Sequence, residues 1–250
     1  MSKPRNQTIK MKHLKYLLFI FFALIAFNLK AQNVTELTWT GTLNDKIPIS
    51  LSYSISDGVI TGEIIYLNTK NKTPIKVIGT VEDDKSYRIL EFEKDGNISG
   101  IITGKPTETV FIGDWFSPKS RKSLSLNLTN PKKQQKKISR NTVITNASYH
   151  YGYSEKGSQG DFEIEKLKNN KYQFRIISVT SDPARNIANI DDTEVNISGN
   201  SFVYNLPDEK TCQFKVTFYS DFLVVKYTKG DFQGQFGHNA TIEGIYLKIK

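Results

Sequence analysis

The chain carries little with which to build reactive chemistry. Among its 250 residues are one cysteine, Cys212, three histidines and two methionines. A single cysteine excludes an internal disulfide, so an exported domain of this sequence must hold its core by burial alone. Beyond residue 31 only His150 and His238 remain, too few for a three-histidine metal site, and neither stands at ligand spacing from Cys212. No metal or cofactor is expected. A Ser-His-Asp set could be drawn from His238 with Asp221 or Asp231, but no Gly-x-Ser-x-Gly elbow supplies its nucleophile. The chain is therefore read as a non-enzyme, with no catalytic residue assigned. Cys212 alternates with Phe214, Val216 and Phe218 and reads as a small buried hydrophobe.

Acidic residues are missing from one long stretch, between Asp114 and Glu155. The formal charge of +9 divides very unevenly along the chain. Residues 1–31 hold six basic and no acidic side chains, and 115–140 hold eight basic and none acidic. The flanking segments are near neutral or acidic. A nucleic-acid binder carries its positive charge on a folded face. Here the charge falls on an N-terminal segment and an apparent spacer, so no nucleic-acid partner is expected.

Long apolar runs are absent but for Leu17–Phe27. Eleven residues fall short of the roughly 20 that cross a bilayer. The run follows a charged opening and precedes Ala31, the pattern of a secretory signal over 1–31, with Met11 an alternative start. No cysteine follows it to take a lipid, and no membrane span is expected after removal of the signal. The expected location is periplasmic or extracellular.

What the chain does have is β-patterning. Ile47, Ile49, Leu51, Tyr53 and Ile55 alternate with small or polar residues, the period of a half-buried strand. Asp57-Gly58, Asn71 to Pro74, Asp83-Asp84 and Asp95-Gly96 supply turns between further runs. Eight short strands follow one another through residues 32–129 with short loops. This predicts an antiparallel eight-stranded meander that removes its edges by closing into a barrel. Gly62, Gly79, Gly100, Gly104 and Gly113 mark bulges or tight bends within it. Residues 130–144, with Asn130-Pro-Lys-Lys-Gln-Gln-Lys-Lys137, read as a solvated basic linker whose lysines suit an anionic envelope surface such as lipopolysaccharide or acidic glycan. Residues 145–250 read as a second, smaller β domain, with a helical turn near Pro183 to Ala188. The fold class is all-β. No internal repeat relates the halves.

Candidate binding residues are aromatic and polar. Tyr149, Tyr151 and Tyr153 share one strand face and offer either a stacking platform for a sugar or peptide, or core. Trp115, in a Gly-Asp-Trp triplet, and the loop residues His238 and Asn239 complete the set. Glu91 and Glu93 flank Phe92 and read as solvated neighbours on one strand face, not as a catalytic pair set across a cleft.

Three resemblances add to this. The glycine pattern with Gly113-Asp-Trp115 resembles the avidin- and lipocalin-like small barrels. The segment from Cys212 through Phe236-Gly-His-Asn239 to Gly244-Ile-Tyr-Leu-Lys248 resembles C-terminal modules of secreted bacterial proteins found with lysozyme-inhibitor-like regions. Those modules usually carry paired cysteines, where this chain has Cys212 alone. The Asn28-Leu-Lys-Ala-Gln-Asn33 stretch is similar to signal ends of exported Bacteroidota proteins. The resemblances imply an exported binding or interaction protein of a Gram-negative envelope, its partner an unidentified protein or glycan. Inhibition of a hydrolase such as lysozyme is the alternative.

Overall fold

The computed structural model describes residues 32–138, 142–168, 171–207, 211–230, 232 and 234–250. The signal segment, and Ser139 to Asn141 of the expected linker, lie outside the described residues. The fold is all-β. Eight strands form the first half: β1 (Gln32–Leu43), β2 (Ile47–Ser56), β3 (Val59–Tyr66), β4 (Ile75–Val81), β5 (Tyr87–Phe92), β6 (Ile98–Pro106), β7 (Val110–Ser117) and β8 (Lys122–Ile138). Each pairs antiparallel with the next, and β8 returns to β1, closing a barrel. Closure follows from the turns: every connection is short, and the period-2 residues bury one face of each strand in a shared interior. That interior is packed with side chains. Trp39, Tyr53, Tyr87 and Phe111 meet edge to face at its centre, with ring centroids about 6 Å apart. A ligand placed deep inside would have to displace them.

The basic linker is corrected here. Asn130 to Lys137 continue β8 and pair with Gln135↔Thr35 and Lys136↔Val34 of β1. The register breaks between Thr38 and Thr40, where Asn130 and Pro131 oppose Trp39 alone, and Asn130 takes a φ of +52°. This bulge accommodates a proline that could not donate to the ladder. Beyond it, Lys132, Lys133 and Lys136 are exposed on β8 along its pairing with β1. A stretch of like charge reads as spacer in sequence because repulsion favours extension; an extended stretch is also what a partner strand can pair with.

The second half contains β9 (Ala147–Gly152), β10 (Gln159–Lys166), β11 (Tyr172–Val179), β12 (Ile187–Val195), β13 (Ser201–Asn205), β14 (Gln213–Phe218), β15 (Phe222–Lys229) and β16 (Gly244–Lys248). Their order in the sheet is β12-β11-β10-β9-β16-β15-β14-β13. Read as a ring, this is again a meander, joined at β9 and β16 and open between β12 and β13. The two halves therefore repeat one topology that no sequence repeat announces. The expected helical turn is an ordinary turn at 182–184, and β12 begins at Ile187. Phe162, Phe174, Phe214, Phe218 and Tyr246 are fully buried in this second barrel.

The barrels are packed together. Val59, Ile78, Leu90, Phe92 and Ile98, on the outer face of the first, belong to the same apolar cluster as the interior of the second. Around it, Lys76 pairs with Asp221, and the Arg88 guanidinium donates to the Tyr153 hydroxyl at 3.0 Å. Asn97 bridges to Gly152, whose N–H donates to the Gly96 carbonyl. Gly96 is required at this seam: its φ is +91°, and an added Cβ would lie 2.8 Å from the His150 carbonyl oxygen.

Candidate functional site

Alternation along β5 sends Tyr87, Ile89 and Glu91 into the first barrel and leaves Leu90 and Phe92 outside, facing the second. Glu91 is thus not a solvated partner of Glu93. It is 1% exposed, while Glu93 sits in the following turn in solvent. A register shift between Glu91 and Phe92 leaves Ser99 as the extra residue and sets Glu91 opposite Gly100.

Three other strands converge on this carboxyl. The Tyr66 hydroxyl, at the end of β3, donates to both oxygens at 3.0 and 3.2 Å. The Trp115 indole N–H, from β7, donates to Oε1 at 2.7 Å, and the Ser99 hydroxyl reaches Oε2 at 3.4 Å. Gly100 leaves the space they occupy: a Cβ there would lie 2.3 Å from the indole nitrogen and 2.7 Å from Glu91 Oε2. Gly100→Ala is expected to cost about 1–3 kcal/mol by overpacking and to shift Trp115 fluorescence, read in urea unfolding.

Burial raises the Glu91 pKa above its usual 4.5, and the hydrogen bonds from Trp115, Tyr66 and Ser99 oppose the rise without cancelling it. The Tyr66 hydroxyl is pushed up by its own burial and then by the Glu91 charge, so it stays protonated and able to donate. Among the described residues every buried side-chain polar atom is paired, and the cluster closes the barrel end as a hydrogen-bonded plug. Tyr66 and Trp115 are half-buried, so the plug presents aromatic edges to the mouth.

The turns at this end are 44–46, 67–74, 93–97 and 118–121. They carry six basic side chains (Lys46, Lys70, Lys72, Lys94, Lys119 and Arg121) against three acidic ones. The turns at the other end, 57–58, 82–86 and 107–109, carry Lys85 against Asp57, Glu82, Asp83, Asp84 and Glu108. Counted over the turns alone, charge is thereby sorted by rim, because successive turns of a meander alternate between the two ends; the lysines at the end of β8 lie at the rim of the acidic turns.

The residues singled out from sequence are not brought together. Trp115 is at the mouth of the first barrel. Tyr149 and Tyr151 are core residues of the second, 4% and 6% exposed, so they form no stacking platform. Burial pushes the Tyr149 hydroxyl up to about 12. Tyr153 lies at the joint under Arg88, and His238 and Asn239 are exposed on the loop between β15 and β16. Tyr66 and Glu91 were missed as a site. The apolar neighbours Ile89, Leu90 and Phe92 mark a strand covered on both faces, but do not by themselves place Glu91 inside.

A family model described as "Multicopper oxidase" matches residues 107–197. The match runs from the turn before β7 of the first barrel through β12 of the second and covers less than half the chain. No curated protein and no solved structure matches. Copper sites of the blue type use two histidines and a cysteine, with a weak axial methionine. The matched segment holds one histidine, His150, with no cysteine or methionine, and His150 Nδ1 lies 2.8 Å from Asp161. Among the described residues no three His, Cys, Asp or Glu side chains gather as a metal would need. The residues present do not fit a copper centre.

Proposed function

We propose that this chain is an exported, non-catalytic binding protein of the cell envelope that takes an anionic ligand at the basic mouth of its first barrel. The observation carrying the reading is the sorting of charge between the two rims. A ring of cations around half-buried Tyr66 and Trp115 suits acidic glycan chains or anionic lipid headgroups, which offer charge to the lysines and an apolar ring or glycerol face to the aromatics. Lys132 and Lys133, exposed on β8 at the opposite end of the barrel, with Lys136 paired to Glu36 at 2.6 Å, offer a second basic contact, as the resemblance to exported envelope proteins also suggests.

The mature chain, Gln32 to Lys250, is titrated with vesicles of phosphatidylcholine with and without phosphatidylglycerol, and with an acidic polysaccharide, at two salt concentrations. The expected result is anion-dependent binding that weakens with salt, and about tenfold weaker binding in K119E/R121E. A second double variant, K132E/K133E, separates the far end of β8 from the mouth. Equal binding of neutral vesicles, or no effect of either double variant, sinks the reading.

One observation favours inhibition of a hydrolase as the second reading. The Gly234–Asn239 loop is held in place, with the Asn186 amide donating to the His238 carbonyl at 2.8 Å and the Gly237 N–H to the Ile187 carbonyl at 2.9 Å. A rigid loop with an exposed histidine loses little entropy on docking. Inhibition of lysozyme turnover that disappears in His238→Ala would support it.

A further inference from the structure

Closure distinguishes the two barrels. The first has no free edge; the second is open between β12 and β13. These strands are consecutive in the chain, yet among the described residues β12 pairs only with β11 and β13 only with β14. A single bridge, Ser198↔Ser201, lies in their connection. Along nearly all their length their Cα atoms stay more than 8 Å apart. Paired strands lie about 4.8 Å apart, so these two share no ladder.

Beneath this seam the core is closed by packed aromatic rings, with Phe174 and Phe202 buried and Tyr204 half-buried. Phe174 of β11 lies 4.9 Å from the Phe202 ring and 5.6 Å from the Tyr204 ring, centroid to centroid, across the opening. The two lips differ. The β12 lip is guarded in the way edge strands usually are, by exposed Asp191, Asp192 and Glu194, and by a register shift in its pairing with β11. The β13 lip, Ser201-Phe-Val-Tyr-Asn205, has no charge, no proline and no bulge. Val203 stands 50% exposed at its centre, and Ile187, at the start of β12, is 52% exposed.

We propose that this seam receives an extended peptide strand whose residues alternate apolar and basic. Backbone groups of the peptide pair with the free edge of β13, the mode of β-strand addition. Its apolar side chains face inward beside half-buried Tyr204, over the buried Phe174 and Phe202. Its basic side chains point outward beside Asp191, Asp192 and Glu194. The acids also argue against a second copy's β12 as the occupant, since like charges would face each other across the pair.

The test uses the mature chain and a capped nonapeptide of alternating valine and lysine. Its controls are the same peptide with glutamate for lysine, and one with proline at alternate positions. Titration calorimetry and amide hydrogen exchange are read together. The lysine peptide is expected to bind and to slow exchange in β13, the proline peptide to fail, and D192K/E194K to weaken binding about tenfold. Equal binding of the lysine and glutamate peptides overturns the proposal, as does protection confined to the acidic rim of the first barrel. So does a dimeric free protein whose β13 amides are already protected, which would give the edge to a second copy.

Discussion

Glu91→Ala is expected to destabilise the first barrel by about 3–5 kcal/mol. The substitution leaves the Trp115 indole N–H and the Tyr66 hydroxyl without their acceptor in a buried site, at about 1–3 kcal/mol for an unsatisfied group. It also removes buried carbon and opens a cavity. Both tryptophans, Trp39 and Trp115, belong to the first barrel, so urea unfolding followed by tryptophan fluorescence reports this loss directly.

Glu91→Gln separates charge from packing, and the sign follows from the raised pKa. Below the ordinary value of 4.5 the carboxyl is protonated in both the folded and the unfolded chain. As pH rises past that value, the unfolded chain releases the proton while the folded barrel keeps it. Stability therefore falls with rising pH until the folded value is passed, and is level above it. Glu91→Gln is expected to abolish that slope. A pH profile of unfolding identical in wild type and Glu91→Gln would show that Glu91 titrates as it does in solvent.

The second large effect is expected at the joint. Leu90 is 2% exposed, on the outer face of β5 within the shared apolar cluster. Leu90→Asp places an unpaired carboxylate there, at a cost of about 3–5 kcal/mol or a forced separation of the barrels. In wild type, tryptophan fluorescence and far-UV circular dichroism should give coincident transitions, because each barrel covers the other's apolar face. In Leu90→Asp the fluorescence transition is expected to come earlier and to separate from the dichroism transition. Coincident, unshifted curves in the variant would mean that the joint contributes nothing to stability.

The joint was partly legible. The doublets Val59-Ile60, Val77-Ile78, Ile89-Leu90 and Ile101-Ile102 fall on β3 to β6, where one apolar residue serves the barrel interior and its neighbour the second barrel. In β2 and β8 the runs Ile49-Ser-Leu-Ser-Tyr53 and Leu124-Ser-Leu-Asn-Leu128 alternate cleanly, because their outer faces meet water. An apolar doublet says that both faces of a strand are covered; it does not say by what. Glu91 shows the converse. A carboxylate in a strand reads as a solvent-facing residue, since an unpaired buried charge is costly. Only the arrival of Tyr66, Trp115 and Ser99 from three other strands makes its burial tolerable.

The sequence by itself determined the class, the strand count of the first barrel and its closure. Alternation and turn chemistry are local, and short loops leave a meander little else to do. It also determined the poverty of metal ligands and the unpaired Cys212, which are matters of composition. Tertiary structure alone decided that the basic spacer is a strand, that Glu91 is buried, that charge is sorted by rim, and that the second barrel repeats the first but stays open. Each depends on which distant segments meet, and no local pattern encodes a meeting between residues 25 to 100 positions apart.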